Sequence, residues 1–275
     1  VNTAGDASEA AQGRHAGARW WASIGDARAL RDAGLFVAEG RLVVERLLTA
    51  SDGPVYEVVR VLASPAAVRA LHLDERVPGL LDVRTPAAMQ ELTGYNFHRG
   101  VLALVRRPPH VSVADLVAGA PADAPLVVGE HIVDVDNVGS LFRNARAFGA
   151  AGVVLDDTSA DPLYRKAVRT SMGTVLELPW TRAAGPEMWG MLRRAGYRLM
   201  ALTPAADAVP LREAMTDAGR CRVAIVVGNE GEGLSQAALA ACDVPVRIPM
   251  AHGADSINVA TALAVALYEV HGRRR

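Results

Sequence analysis

Four short polar groups interrupt an otherwise apolar C-terminal half, and their residue types are those of a ligand site. Gly228-Asn-Glu-Gly-Glu-Gly233 follows the apolar run Val223–Val227. Ile248-Pro-Met250 ends a second run, Asp255-Ser-Ile-Asn258 opens a long apolar segment, and Asn137-Val-Gly-Ser-Leu-Phe-Arg143 stands upstream. The glycines permit positive φ and close approach of backbone to a ligand. No Lys-Ser/Thr follows them, which excludes a P-loop, and the loop comes too late in its domain for a dinucleotide fingerprint. Glu230 and Glu232 would repel a phosphate-bearing cofactor, so a cationic or neutral ligand fits better. Taken alone, the loop reads equally well as a plain glycine-rich turn, and Arg143 as a surface arginine on a helix. Arg143 nevertheless shares a small-residue face with Ser140 and Ala147, while Phe142, Ala145 and Phe148 lie on another. Asn258 is a poor helix former that a cap at Asp255 or Ser256 does not require, which points to a function.

The elements that must position these groups read as alternating strands and helices. Val223–Val227 is a strand buried on both faces, and Val244–Ile248 a second one ended by Pro249. The final helix, starting near Asp255 or Ser256, is apolar almost all round through Ile257, Val259, Leu263, Val265 and Leu267. Such a helix is buried in its own core or against a partner. Strands are also predicted at Leu126–Gly129, Val153–Leu155, Thr174–Leu178 and Tyr197–Leu202. Helices are predicted from Asn137 to the Gly149 stop, from Asp161-Pro162, and over Pro186–Ala195. Upstream, the pattern predicts a helix over Ala18–Arg31 carrying Trp20 and Trp21. Strands follow at Leu35–Ala38, Tyr56–Leu62, Leu81–Arg84 and Gly100–Val105. Helices follow at Gly40–Thr49, after Ser64-Pro65 and after Thr85-Pro86. The organisation expected is a flexible tail over 1–18, a small α/β domain over 19–107, a linker over 108–124 and a second α/β domain over 125–275.

With 275 residues, 51% hydrophobic and 21% charged, the chain can bury a sizeable core. A net charge of −1 excludes a surface coated in positive charge but leaves room for a local basic patch. Lys166 is the only lysine. Arg143, Arg146, Arg165, Lys166 and Arg169 are the candidates for such a patch. Cys221 and Cys242 are too few for a disulfide framework and lack zinc spacing, so a reduced cytoplasmic setting without a metal is expected. No apolar run is long enough to span a membrane, and no signal-peptide core is legible near the N-terminus.

Asn137-x-Gly139-x-x-x-Arg143-x-Ala145, Gly228-Asn-Glu230-Gly-x-Gly233-Leu, and Ile248-Pro-Met250 with Ser256-Ile-Asn258-Val resemble, in this order, the three motifs of the SpoU/TrmH branch of SPOUT RNA methyltransferases. The resemblance covers Leu126 to Gly272. Two departures, Asp136 before the asparagine and Ala260 in place of a common serine, leave the chemistry untouched. Leu35–Val105, with Phe36-Val-Ala-Glu-Gly40 and Arg99-Gly-Val-Leu-Ala-Leu104, is similar to the ribosomal-protein-like substrate-binding domain of many rRNA-acting members. The resemblance implies an α/β fold with a C-terminal trefoil knot, a homodimer through that domain, and methyl transfer from S-adenosyl-L-methionine to a ribose 2′-hydroxyl. The RNA expected is rRNA, most of all 23S, with tRNA as the alternative. Gly228, Asn229, Ile248, Met250 and Ile257 would bind cofactor, with Leu202 to Pro204 nearby. Arg143, Asn137, Glu230, Ser256 and Asn258 would be catalytic or face the substrate. The rivals are a catalytically silent RNA-binding or assembly protein of the same fold and a dinucleotide-dependent oxidoreductase.

Overall fold

The computed structural model describes residues 21–22, 24–49, 56–94, 100–218, 221–251 and 255–272. The tail expected over 1–18 and Trp20 lie outside them. The chain forms two compact units, one of Val1–Pro108 with Leu163–Arg165 and one of Pro109–Pro162 with Lys166–Arg275.

The first unit has a four-stranded sheet of β1 (Leu35–Glu39), β2 (Val58–Ala63), β3 (Leu81–Val83) and β4 (Val101–Arg106), in the order β1-β4-β2-β3. Leu35, Val37, Leu62, Leu102 and Leu104 of the sheet pack with Trp21 and Met89. Ser64 and Thr85 cap their helices as their spacing predicts, each accepting a backbone N–H ahead of a proline in the first turn. The helix expected over Ala18–Arg31 is broken. Ile24 and Gly25 form a turn, and Asp26 caps a new helix, Ala27–Asp32, by accepting the N–H groups of Arg28 and Ala29.

The second unit is a seven-stranded sheet with every neighbouring pair parallel. Its strands are β5 (Leu126–Gly129), β6 (Gly152–Leu155), β7 (Trp180–Arg182), β8 (Tyr197–Leu202), β9 (Val209–Pro210), β10 (Arg222–Val227) and β11 (Val244–Arg247). They lie in the order β7-β6-β5-β10-β8-β11-β9. Leu126, Val128, Leu199, Ala224 and Val226 are buried in it, which is why these strands read as continuous apolar runs.

Several expectations are corrected. Thr174–Leu178 is not a strand: Thr174–Leu176 is a 3₁₀ turn after left-handed Gly173, and the strand follows at Trp180. Buried Ser171 and Thr174 return their hydroxyls to the backbone carbonyls of Val168 and Ser171, and this side-chain bonding turns the chain despite its β-branched residues. Strand β9 is two residues long and leaves no periodicity to read. Within 108–124, read as a linker, Ser112 caps a helix over Val113–Ala118 that buries Val113 and Leu116 in the sheet's core. The final helix runs from Val259 to Gly272, starting later than Asp255 or Ser256. It buries Leu263, Ala266 and Leu267 but leaves Val265 and Tyr268 exposed. No helix among the described residues is long and apolar enough to cross a membrane.

Candidate active site

The C-terminal ends of β8, β10 and β11 and the approach to the final helix enclose a cavity of about 480 Å³. Ligands of parallel α/β sheets settle at this end of the strands because the loops there are free to vary. Gly228, Asn229, Ile248, Met250 and Ile257 all line it, with Glu230 and Ser256. Leu202, Thr203 and Pro204 form another part of the wall, as expected, and Gln236, Leu239, Asp255 and Ala262 were not anticipated. Gln236 and Leu239 share one face of the helix after the glycine loop, a spacing that could have suggested them.

Gly228 is a glycine because nothing else fits. A Cβ there would lie 2.5 Å from the carbonyl carbon and oxygen of Gly233. The loop folds back on itself, with Asn229 N–H donating to Gly233 O at 3.1 Å and Gly233 N–H to Asn229 O at 3.0 Å. The Asn229 side chain is spent on shape. Its Oδ1 accepts from Gly231 N–H (2.8 Å) and Glu232 N–H (3.1 Å), and its Nδ2 donates to His131 O (3.1 Å). Asn229 therefore lines the cavity as the brace of the loop.

Three polar side chains from distant parts of the sequence meet beside this cavity. Asn258 is the N-cap of the final helix: its Oδ1 accepts from Ala260 N–H at 3.0 Å and Thr261 N–H at 3.2 Å. Its Nδ2 donates to Asn137 Oδ1 at 2.9 Å, and Asn137 Nδ2 donates to Glu230 Oε1. Asn137 is buried in the first turn of the helix Val135–Ala147, so this chain also satisfies an otherwise stranded amide. One turn before its end the same helix is tied to the final one, Asn144 Nδ2 donating to Ala260 O at 2.7 Å.

Arg143 stands apart from this chain. It is exposed, is not among the residues lining the cavity, and makes no hydrogen bond or ion pair among the described residues. Other members of the proposed basic patch are engaged. Arg146 pairs with Glu177 at 3.2 Å, and Lys166 with Asp136 at 2.7 Å. The hydrogen bond between Lys166 and Asp136 holds the carboxyl below the ordinary range and raises the ammonium. Glu230, Glu232 and Asp255 bring three carboxylates to the cavity wall, whose described lining residues include no lysine, arginine or histidine. Gly139 explains how closely the Arg143 helix is set. A Cβ there would lie 2.7 Å from Ala167 O, on the helix Arg165–Thr170.

Residues 124–268 match the SpoU rRNA Methylase family. The chain belongs to that family. The SpoU match spans every residue of the cavity and of the Asn258–Asn137–Glu230 chain, and its class is that of an RNA methyltransferase. Among curated relatives, uncharacterized tRNA/rRNA methyltransferases of Mycobacterium bovis and Mycobacterium tuberculosis are 44% identical over 237 residues, 86% of this chain and 80% of theirs. Among solved structures, the SpoU methyltransferase AviRb from Streptomyces viridochromogenes, in complex with AdoMet, is 25% identical. It aligns over 94% of this chain and 98% of its own with a TM-score of 0.79. An RNA 2′-O ribose methyltransferase is 28% identical, with coverages of 94% and 95% and a TM-score of 0.75.

Proposed function

We propose that this SpoU chain is an S-adenosyl-L-methionine-dependent methyltransferase acting on a ribose 2′-hydroxyl of RNA. The observation that carries the reading is a cavity walled by three carboxylates and, among the described residues, no cationic side chain, set beside a helix that bears an exposed arginine. A sulfonium cofactor fits such a wall, whereas a phosphate-bearing one does not. The AdoMet complex of AviRb and the ribose specificity of the 28% identical structure support the same choice. Backbone at Gly228, Ile248 and Met250, with the Ile257 side chain, would hold the cofactor. When bound, it supplies an electrophilic methyl group.

The remaining task falls to the chain's own residues, which must align a weakly acidic hydroxyl and stabilise the charge it develops. Asn137, Asn258 and Glu230 hold one another at the cavity's edge, and Ser256 lies beside them. Arg143 is always charged and a poor base, so its role is to grip an RNA phosphate and stabilise the developing alkoxide. A guanidinium with no partner among the described residues is available for that contact. The RNA favoured is rRNA, 23S above others, because the first unit is similar to ribosomal-protein-like binding domains. tRNA is the alternative. The setting is cytoplasmic.

The knot and the homodimer implied by the family belong to the same reading. Insertion of β10 between β5 and β8, followed by return of the final helix onto β10 and the Val135–Ala147 helix, is compatible with a knotted path. The decisive experiment pairs calorimetry of S-adenosylmethionine binding with transfer of labelled methyl to bulk RNA and mapping of methylated riboses. Cofactor binding without transfer would favour the catalytically silent assembly protein. Arg143→Lys should retain some turnover with a shifted pH profile, and Arg143→Ala should lose about a hundredfold or more. Wild-type rates in Arg143→Lys would remove any need for guanidinium geometry.

A further inference from the structure

The Gly228–Gly233 loop is braced from outside the three motifs, by a carboxylate that lies off the cavity wall. Asp156 follows β6 directly. Its Oδ1 accepts from His131 N–H at 3.0 Å, from Ser159 N–H at 2.9 Å and from Ser159 Oγ, while Oδ2 accepts from Thr158 Oγ1. Ser159, itself buried, accepts Ile132 N–H at 2.9 Å. Arg182, the last residue of β7, donates to the carbonyls of Asp156, Ser159 and Ala160 at 2.6, 3.0 and 2.9 Å. The loops after β5, β6 and β7 are thus bound to one another around one carboxylate.

What this brace holds is a backbone turn that only glycine adopts freely. His131 has φ +54°, in the left-handed region disfavoured for a residue with a Cβ. Asp156 holds the peptide plane before His131 through its N–H, and Ser159, itself bonded to Asp156, holds the plane after it through Ile132 N–H. The His131 carbonyl of that second plane accepts from Asn229 Nδ2, and Asn229 in turn organises Gly231 and Glu232. Strain of this kind persists where the surroundings over-determine it, and it gathers at functional sites. The His131 ring is oriented too. Thr158 Oγ1 gives its proton to Asp156, so it can only accept from His131 Nδ1 at 3.0 Å, which places a proton on Nδ1.

We infer that Asp156 is a positioning residue for the cofactor loop, acting through the His131 backbone and Asn229 on the shape of the Gly228–Gly233 turn. It would touch neither cofactor nor RNA. The inference rests on the reading of the cavity as an S-adenosylmethionine site. Its effect would fall on cofactor affinity and leave RNA affinity as it is.

The test measures S-adenosylmethionine binding to the full chain by calorimetry and RNA binding by filter retention, in wild type and variants. Asp156→Asn should weaken cofactor binding about tenfold or more with RNA affinity within about twofold. His131→Gly, which accepts the left-handed turn, should bind within about threefold of wild type, and His131→Val, which resists it, should not. Asp156→Asn combined with Asn229→Ala should be no worse than the weaker single variant, because both act through one turn. Nitrogen NMR should show a proton on Nδ1 of His131 in wild type and its loss in Thr158→Val. If Asp156→Asn fails to fold, Ser159→Ala and His131→Val carry the same comparison. Wild-type affinity in Asp156→Asn or His131→Val, additive effects in the double variant, or an equal loss of RNA affinity would each overturn the inference. No cofactor binding by the wild-type chain would instead defeat the reading of the cavity itself.

Discussion

An asparagine that caps a helix has one oxygen for the helix and one amide for whatever lies opposite. Asn258 uses both, and the two uses can be separated. Asn258→Asp keeps the acceptor for Ala260 and Thr261 but removes the donor to Asn137. Turning the Asn137 amide round cannot rescue the chain, since its oxygen would then face Glu230, which accepts the present bond. The expected outcome is a stability loss smaller than that of Asn258→Ala, because the cap survives, and methyl transfer reduced about ten- to a hundredfold. Asn258→Ala should lose both, with about 1 kcal/mol of stability gone. Equal stability loss in the two variants would contradict the assignment of the cap. At this scale the sequence was legible in residue types and blind to partners. A cap at Asp255 or Ser256 leaves Asn258 unneeded, whereas Asn258 is itself the cap. The spacing marks Arg143, but that it has no partner among the described residues needs coordinates to see.

Strands and helices were legible wherever one force dominated. β5 and the Val223–Val227 part of β10 are buried on both faces, and their unbroken apolar runs declare it. Ser-Pro and Thr-Pro gave two helix starts because cap and proline act within one turn of chain. What escaped was decided by contacts across the sequence. Connections after β5, β6 and β7 look like ordinary loops, yet they converge on Asp156. Burial works to raise that carboxyl, and the hydrogen bonds from Ser159, Thr158 and the His131 backbone outweigh it, leaving the group below its ordinary 3.8. A depressed carboxyl contributes stability above the unfolded value and loses it as pH falls through the folded one. The advantage of wild type over Asp156→Asn should therefore be flat from about pH 7 to about pH 5 and shrink below about pH 4. Thermal midpoints across that range check it. An advantage that grows toward acid would reverse the sign and refute the bonding scheme.

At the scale of the whole molecule, the proposed homodimer would rest on apolar surface that the final helix leaves exposed. The final helix read as apolar all round, and the part left exposed is what a single chain does not cover. Val265 is 41% exposed and Tyr268 66%, with Tyr268 edge-on to Phe148 at 6.2 Å and Ile257 exposed near the cavity. Apolar residues grouped on one helix face at i and i+3 are costly in water and ordinary in an interface. In the reading proposed above, a second copy covers them. The chain should then sediment as a dimer, and its thermal midpoint should rise with concentration. Tyr268→Asp places a charge on that face while leaving the buried side of the helix alone. It should yield a folded monomer whose far-ultraviolet dichroism matches wild type. A Tyr268→Asp chain that stays dimeric would move the interface elsewhere. A monomer that still methylates would show that one chain brings Arg143 to its own cavity unaided.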